Sequence, residues 1–419
     1  MSGYNVIERL HSIVDARRLL ERGLRRVAPS EEVVGIDNAL GRVSSRDVYS
    51  PMDVPPHDRS VLDGYAARWR DISTASEEAP AVLRVKGRIE IDDPSTYEIG
   101  PGESYEVATG SPMPRGADVV VPIEHASPQD GLVYVYKPFP GGYGVSTRGE
   151  DLKQGEKVLE RGDLVSEWHV GVLASIGVGG VSVWSRLSVG IVSTGQELIE
   201  PGEEYRQGKV YASTGRLAAS YLRARGVDAR YLGVLPDDEA VIRGFILDNV
   251  GKFDVIMTTG GTSVGKKDAA IRALASVAED LIHGLALTPG RPGAIGIVHG
   301  KPVMALSGMP VAAISELIAV WDPVYRSLLG RSRPWEPVLK ARMARQYSSH
   351  PGMVNVVRTR TCIGPRGLIA EPLRVTGSGI LSTLVKANSI LIVPEDVTGI
   401  EEGEEVEVLL TGHLEVCMG

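Results

Sequence analysis

One stretch of the sequence combines residue types that can bind an anion. A mostly apolar strand pattern at 253–259 leads into a run that is small, hydroxyl-bearing or charged: Gly260, Gly261, Thr262, Ser263, Gly265, Lys266, Lys267 and Asp268. Paired glycines allow positive φ angles and let successive backbone N–H groups approach a ligand oxygen. A helix that starts just after them would add unpaired N–H donors and the positive end of its dipole. The sequence therefore predicts an anion-binding turn after a buried strand.

A second stretch upstream shows the same order of features. Residues 189–192 are apolar or glycine, and they are followed by Ser193, Thr194, Gly195 and Glu197. In open parallel sheets, ligands bind beyond the carboxyl ends of the strands. We therefore expect the two turns to converge on one polar site.

The first stretch also comes close to a nucleotide-binding P-loop. Gly260, Gly265 and Lys266 fit the pattern G-x-x-x-x-G-K, but Lys267 stands where a P-loop has the Ser or Thr that binds Mg²⁺. A P-loop nucleoside triphosphatase stays open as an alternative. A plain turn without a ligand is another alternative, although it explains poorly why so many polar residues follow one strand.

Length and charge limit the function classes. The chain has 419 residues, which is too long for one ordinary core, so roughly two to four domains are expected. Its formal net charge of -8 and its isoelectric point near 5.6 argue against broad nucleic-acid binding. The apolar stretch at 303–321 is interrupted by Pro310 and Glu316, so a membrane span is not expected.

Cysteine use and the first residues bear on the compartment. Cys362 and Cys417 are far apart in the sequence, and we expect neither a disulfide framework nor a cysteine-based zinc site. The first ten residues lack the basic and apolar segments of a secretory signal. These features predict a reducing compartment, the cytoplasm. The scarcity of Asn and Gln is typical of proteins from hot environments.

The remaining pattern predicts a multidomain α/β protein. From residue 183 to about residue 329, short apolar strand patterns alternate with helical patterns, which is typical of a layered α/β domain. Short β-type runs separated by Pro and Gly precede this region, and others follow the linker-like residues 330–337. We expect a central three-layer α/β domain with a mostly parallel sheet, a β-rich module, and a small carboxy-terminal all-β, barrel-like domain.

Six motifs that occur in a fixed order carry a resemblance to a known family. They lie at residues 53–66, 108–120, 148–151, 193–198, 259–265 together with Asp268, and 289–292. With these motifs the chain resembles, over essentially its whole length, the molybdopterin molybdenumtransferase family, which includes the E domain of gephyrin. The resemblance implies an amino-terminal helix that packs with the α/β domain, a connecting domain, the β-rich module, the α/β domain and the carboxy-terminal domain. Their expected bounds are, in that order, 1–26, 27–50 with 145–182, 51–144, 183–330 and 331–419.

The resemblance also implies an activity. Proteins of that family insert molybdate, or tungstate, into adenylylated molybdopterin and release AMP, with Mg²⁺ assisting. We expect an elongated homodimer whose active cleft lies between the α/β domain of one subunit and the β-rich module of the other. Contacts with the molybdopterin adenylyltransferase and with acceptor molybdoenzymes are expected. Contacts with nucleic acid or membranes are not.

Four carboxylates are expected to act in catalysis or metal binding. By the resemblance, Glu197, Asp237 and Asp268 bind Mg²⁺, and Asp58, Glu197 and Asp268 are the catalytic set. Without the resemblance, Glu197 or Asp268 is as readily a helix N-terminal charge. Asp237 is then an ordinary helix N-cap, and Asp58 is a turn residue.

The other candidates are expected to bind substrate. Thr109 would donate to a phosphate or to molybdate, whereas without the resemblance it is part of a Thr-Gly turn and Arg148 is part of a solvated ion-pair loop. The full substrate-binding set is Thr109, Arg148, Ser193, Gly195, Gly260, Gly261, Thr262, Ser263, Gly265, Pro289, Gly290, Arg291, Pro292, Gly308, Pro310, Arg358 and Ser378.

Two departures from the family pattern leave another function open. The family usually reads Lys-Pro-Gly-Lys-Pro where this chain has Thr288 first and Arg291 fourth. It usually reads Leu-Pro-Gly-Asn-Pro where this chain has Ser307 and Met309 in the second and fourth places. The first change removes one cation and keeps another that can bind phosphate through two hydrogen bonds. A pterin-binding or scaffolding paralogue without turnover therefore stays as an alternative.

Overall fold

The chain divides into two compact units. The computed structural model describes residues 10–94, 96–261, 268–373 and 379–417. The first unit comprises Met1–Arg46, Arg161–Glu167 and Gly180–Gly419, and the second comprises Asp47–Glu160 and Trp168–Gly179.

The helices begin and end where local chemistry allows. In the first of them, the Ser12 hydroxyl accepts a hydrogen bond from the Asp15 backbone N–H, and Ile13, Leu20 and Leu24 are buried on one face. A π-helical turn at Leu317–Trp321 joins the seventh and eighth helices. The α-helices in the described part of the chain are α1 Ile13–Arg26, α2 Trp69–Ile72, α3 Glu167–Ser175, α4 Thr214–Arg223, α5 Glu239–Asn249, α6 Ala269–Ala275, α7 Pro310–Glu316, α8 Asp322–Leu328 and α9 Ser382–Lys386.

The strands are mostly short. Those up to residue 160 are β1 Glu31–Gly35, β2 Val48–Tyr49, β3 Arg59–Ser60, β4 Gly64–Ala67, β5 Ala81–Ile89, β6 Glu103–Val107, β7 Val119–Pro122, β8 Ala126–Gln129, β9 Leu132–Val135, β10 Val145–Ser146 and β11 Lys157–Leu159. Those up to residue 306 are β12 Gly180–Trp184, β13 Ser188–Thr194, β14 Leu198–Ile199, β15 Val210–Tyr211, β16 Asp228–Leu235, β17 Val255–Thr259, β18 Asp280–His283, β19 Leu287–Thr288, β20 Ala294–Val298 and β21 Lys301–Leu306. The rest are β22 Val338–Met343, β23 Tyr347–Ser348, β24 Val354–Gly364, β25 Gly367–Pro372, β26 Ser389–Val393, β27 Gly399–Ile400, β28 Glu405–Leu410 and β29 Glu415–Val416.

The first unit contains the predicted three-layer α/β domain. Its sheet has the strand order β16-β13-β17-β21-β20-β18, in which the first four strands are parallel and the last two antiparallel. Side chains of successive residues in one strand point to opposite faces of the sheet, so they pack into two different apolar clusters. Met257 packs with α1, α4 and α7 residues, whereas Ile256 packs with α5 and α6 residues. The prediction of a mostly parallel sheet covered on both faces is confirmed.

The carboxy-terminal part of the first unit is a closed barrel. Strands β24, β25, β22, β28 and β26 pair in that order, and β26 pairs again with β24. Closure leaves no free edge among these strands. Strand β19 pairs with β24, so the Leu287–Thr288 segment joins the barrel. The predicted barrel-like domain is confirmed.

The second unit is built around one mixed sheet. Its strand order is β7-β4-β6-β5-β9-β8, in which β5 and β6 are parallel and the other pairs antiparallel. Separate apolar clusters pack against this sheet, one around Leu83 and Val133 and one around Ile89 and Val107. The predicted β-rich module is therefore confirmed as an element of the fold.

The expectation that the cysteines stay unpaired was wrong. Cys362 on β24 and Cys417 form a disulfide bond, with 5.1 Å between their Cα atoms. Strand β29, next to Cys417, runs parallel to β24 and pairs with its end. This pairing brings two residues that are 55 apart in the sequence into contact. In the described part of the chain, no helix combines the length and the apolarity that a membrane crossing requires.

Candidate functional site

Four parallel strands end at the same edge of the α/β sheet. Strands β16, β13, β17 and β21 end at Leu235, Thr194, Thr259 and Leu306. A cavity of about 1180 Å³ lies beyond this edge, and the segments that follow these strands line it together with residues of the barrel. The location is the one that parallel sheets use for ligands.

Many of the predicted site residues line this cavity. They are Ser193, Gly195, Glu197, Asp237, Gly260, Gly261, Pro289, Gly290, Arg291, Pro292, Gly308, Pro310 and Arg358. The predicted residues Thr262, Ser263, Gly265 and Ser378 lie outside the described residues. The expected convergence of the two glycine-containing turns is therefore present in the structure. The chemical roles assigned to these residues stay predictions.

The glycines permit close approach of three loops. Gly260 has a φ of +103°, and a Cβ atom there would lie 2.3 Å from the Thr194 carbonyl oxygen. Its N–H donates to the Leu306 carbonyl at 3.1 Å. A Cβ atom on Gly308 would lie 3.2 Å from the Gly260 Cα atom. Only glycine at position 260 allows the ends of β13, β17 and β21 to meet so closely.

The carboxylates of Glu197 and Asp237 lie against the glycine backbone. An added Cβ atom on Gly195 would be 2.7 Å from Glu197 Oε1, and one on Gly261 would be 3.0 Å from Asp237 Oδ1. Glu197 precedes strand β14 and not a helix, so its alternative interpretation as a helix N-terminal charge was wrong.

The N-cap alternative for Asp237 was also wrong. The residue that caps α5 is Asp238, whose Oδ1 accepts hydrogen bonds from the N–H groups of Ala240 and Val241 at 2.9 and 3.0 Å. Asp237 instead lines the cavity beside Gly261.

Asp268 is a buried carboxyl close to Asp237. It is 8% exposed and immediately precedes α6, yet within the described residues its side chain makes no capping hydrogen bond to that helix. The pKa of Asp268 is raised to about 6, mainly by burial, while Arg272 lowers it and the nearby Asp237 carboxylate raises it. Asp237 and Asp268 are therefore close enough to repel each other when both are ionised.

The carboxylates fit a metal ion only in part. The described ranges contain no group of three or more His, Cys, Asp or Glu side chains arranged to hold a metal. The predicted trio of Glu197, Asp237 and Asp268 is therefore not preformed, and its role stays a prediction. However, Mg²⁺ is usually bound through one or two carboxylates plus the phosphates of a substrate. The Asp237 and Asp268 pair fits that mode of binding.

Two arginines give the cavity positive charge. Arg291 is exposed on the turn after β19. Arg358 on β24 is only 4% exposed, and its Nε donates to Thr383 Oγ1 at 3.1 Å. Burial lowers the pKa of Arg358, although the Tyr347 hydroxyl raises it. Guanidinium groups suit phosphate and oxyanion ligands because their N–H groups can form paired hydrogen bonds.

Sequence reasoning missed several lining residues. Tyr347, His350 and Met353 of the barrel line the cavity, and no local motif marks them. Thr214 at the start of α4 was also missed, although its Oγ1 donates to the Gly308 carbonyl at 2.7 Å. A hydroxyl residue at a predicted helix start was the available signal for Thr214.

Three predicted site residues lie in the second unit, exposed on its surface. The Asp58 carboxylate accepts a hydrogen bond from the Arg148 backbone N–H at 2.7 Å, and Arg148 Nε donates to Asp53 at 2.5 Å. The Thr109 N–H and hydroxyl donate to Asp63 Oδ1 at 2.7 and 3.1 Å. Asp58 and Arg148 are thus neighbours, and Asp53 and Asp63 hold the loops that present the predicted residues.

Comparison with known proteins covers nearly the whole chain. Three family models match in order. The MoeA N-terminal region (domain I and II) matches residues 11–177, a probable molybdopterin binding domain matches 190–326, and the MoeA C-terminal region (domain IV) matches 340–411.

Relatives of similar length support the same assignment. A putative molybdopterin biosynthesis protein of Methanocaldococcus jannaschii is 34% identical over 385 residues, which is 90% of this chain and 91% of the relative. The molybdopterin molybdenumtransferase of Haemophilus influenzae is 28% identical over 390 residues, or 91% and 94% of the two chains. The structure of a molybdopterin biosynthesis MoeA protein from Pyrococcus horikoshii matches with a TM-score of 0.76 and 29% identity, covering 96% of this chain and 100% of that one. This chain belongs to the MoeA family.

Proposed function

We propose that this protein is a molybdopterin molybdenumtransferase that inserts molybdate or tungstate into adenylylated molybdopterin and releases AMP. Relatives that match about nine-tenths of the chain are named for the transferase activity. The supporting structural observation is the cavity at the ends of four parallel strands, which is lined by glycine backbone, by Arg291 and Arg358, and by the carboxylates of Glu197 and Asp237. These groups suit a ligand with several negative charges.

The proposed ligand demands this set of groups. A phosphoanhydride and an oxyanion carry charge that backbone N–H donors and arginines can stabilise. Gly260 and Gly261 line the cavity with backbone, and Arg291 and Arg358 supply cationic donors. In this proposal Ser193 and Gly308 fix the loops around the ligand, since both line the cavity.

We also propose Mg²⁺ as the cofactor. Asp237 and Asp268 would hold it together with phosphate oxygens of the substrate, with Glu197 nearby as a further candidate ligand. When bound, the ion would neutralise charge on the phosphoanhydride. The two carboxylates would otherwise repel an anionic substrate, so the presence of a cation explains why acidic groups line an anion site.

A homodimer is part of the proposal. Asp58, Thr109 and Arg148 are assigned to the active cleft by the family motifs, and we propose that they serve the cavity of the second subunit. The molybdopterin adenylyltransferase and acceptor molybdoenzymes are the proposed macromolecular partners. The proposed location is the cytoplasm. The disulfide bond fits this location if the scarcity of Asn and Gln reflects a hot-living source, because intracellular proteins of hyperthermophiles also contain disulfide bonds.

Release of AMP tests the proposed function directly. The protein is incubated with adenylylated molybdopterin and Mg²⁺, with molybdate and tungstate compared side by side. We expect AMP release that depends on both the oxyanion and the metal ion. Binding of the pterin without AMP release would instead favour a scaffolding protein. The departures from the family pattern at Thr288, Ser307 and Met309 are the reason to test this alternative. Hydrolysis of ATP in the absence of pterin would favour the P-loop alternative.

A further inference from the structure

One fully buried carboxyl beside the cavity has no role in the chemistry described above. Glu316 is the last residue of α7 and is 1% exposed. The Ser307 N–H donates to Glu316 Oε2 at 3.0 Å, and the Ser307 hydroxyl is hydrogen-bonded to Oε1. Ser307 follows β21 and lines the cavity. Glu316 therefore fixes the loop after β21 by accepting a hydrogen bond from the backbone N–H of Ser307. A proline at position 307 would lack this donor.

The same side chain also touches the other lining turn. A Cβ atom on Gly290 would lie 3.0 Å from Glu316 Cγ, and one on Gly293 would lie 2.9 Å from Glu316 Cδ. Gly290 has a φ of +129°, which also favours glycine. The carboxyl thus packs directly against the backbone of the turn that carries Arg291. A single side chain therefore contacts two of the segments that line the cavity.

The charge state of Glu316 matters because the proposed ligand is an anion. Burial raises the pKa of Glu316 to about 8, although the hydrogen bonds from Ser307 lower it. Below that pH the carboxyl is protonated and adds no negative charge behind the cavity. On the described elements that pack most closely against α7, the titratable or charged side chains are those of Arg216, Tyr221 and Arg223 on α4 and Lys301 on β21. Arg291 lies on the turn that packs against Glu316.

We propose that Glu316 is a positioning residue for substrate binding, which fixes the spacing between the loop that begins at Ser307 and the turn at 289–293. The inference rests on the proposed function for the identity of the ligand. It explains the serine at position 307, since the N–H and the hydroxyl of Ser307 both serve the buried carboxyl. Where the family usually has a rigid proline, this chain has Ser307, which is hydrogen-bonded to Glu316.

Two variants and one control test the role. Glu316→Gln keeps the size and can still bond to Ser307, whereas Glu316→Leu keeps most of the volume and removes both hydrogen bonds. Asp322→Asn is the matched control, because Asp322 is a buried carboxyl bonded to Arg225 and Tyr221 and does not line the cavity. By calorimetry at pH 7, we expect Glu316→Leu to weaken binding of adenylylated molybdopterin roughly tenfold, because misplaced groups bind poorly. Glu316→Gln and Asp322→Asn should bind like the wild type.

A pH series separates positioning from general stability. Wild-type affinity should fall above about pH 8, by about tenfold for like charges roughly 10 Å apart at an effective dielectric constant of about 20. Glu316→Gln cannot ionise and should lose this fall. Wild-type affinity in Glu316→Leu at pH 7, or the same fall in Glu316→Gln, would overturn the inference.

Hydrogen exchange tests the spacing without any ligand. Backbone amides in the segments 287–293 and 305–310 should exchange faster together in Glu316→Leu, and at wild-type rates in Glu316→Gln and Asp322→Asn. Failure of the wild type to bind the pterin would count against the proposed function alone, while unchanged exchange in Glu316→Leu would overturn the positioning role.

Discussion

At the scale of single residues, Asp268 is the sharpest test of the proposed chemistry. It is buried beside Asp237 and does not cap α6 in the described structure. Asp268→Asn keeps the size and removes the charge that would hold Mg²⁺ near a developing phosphate charge. We expect AMP release to fall at least about a hundredfold, while the affinity for adenylylated molybdopterin changes little. The measurement is AMP release over a series of Mg²⁺ concentrations.

Asp238→Ala provides the control for Asp268→Asn. Asp238 caps α5 next to the cavity-lining Asp237, so its loss should lower the free energy of unfolding by about 1 kcal/mol and leave AMP release unchanged. Full AMP release by Asp268→Asn at limiting Mg²⁺ would exclude the metal-binding role. A large fall in its thermal midpoint would assign Asp268 a structural role.

The raised pKa of Glu316 also predicts how the free energy of unfolding depends on pH. Its pKa is raised from an ordinary 4.5 to about 8, so the folded protein binds one more proton than the unfolded chain between these pH values. The stabilisation by this group is complete below the unfolded pKa and is lost as pH rises toward 8. We expect Glu316→Gln to gain stability relative to the wild type as pH rises from 5 to 9, on the order of a few kcal/mol at most.

Urea unfolding at several pH values measures this effect. The free energy of unfolding of the wild type minus that of Glu316→Gln should fall from pH 5 to pH 8 and level off above pH 8. A difference that does not vary with pH would mean that Glu316 stays ionised in the folded protein.

At the scale of elements, the disulfide bond fastens the last strand to the barrel. Cys362 and Cys417 close a loop across 55 residues of sequence, and β29 pairs with β24 beside the bond. Loss of a cross-link over a loop of this length increases the entropy of the unfolded chain, by about 4 kcal/mol in the chain-entropy model. We expect the paired replacement Cys362→Ser and Cys417→Ser to lower the thermal midpoint without lowering AMP release at moderate temperature.

Reduction of the disulfide bond in the wild type with dithiothreitol is the control for the double replacement. It should lower the wild-type thermal midpoint to that of the double variant and leave the double variant unchanged. Equal midpoints for the oxidised wild type and the double variant would show that the bond adds no stability.

At the scale of the whole molecule, the proposed shared site requires a dimer. Asp58, Thr109 and Arg148 belong to family motifs but lie in the second unit, whereas the cavity belongs to the first. Sedimentation equilibrium at micromolar concentration should therefore give twice the chain mass of 44.9 kDa. A monomer that still releases AMP would contradict the shared site.

Local sequence patterns predicted the elements of the α/β domain well. The predicted alternation of strand and helical patterns from residue 183 to about residue 329 is present in the structure, and α5 and β17 are two of its elements. Their patterns are strong because buried faces repeat with the helix or strand period. Strand β19, by contrast, was not predicted. It has two residues and exists through pairing with β24, in which Leu287 lies opposite Val354 and Thr288 opposite Asn355.

The sequence by itself determined the family, the layered α/β domain, and the polar turns after β13 and β17, because motifs and hydrophobic periods are local properties of the chain. The tertiary structure decided which distant residues meet. It paired Cys362 with Cys417, brought Arg358 of the barrel to the cavity, and put the Glu316 carboxyl against Ser307 and Gly290. These contacts depend on how the sheet, the helices and the barrel pack, and no spacing along the sequence encodes a distance across a folded core.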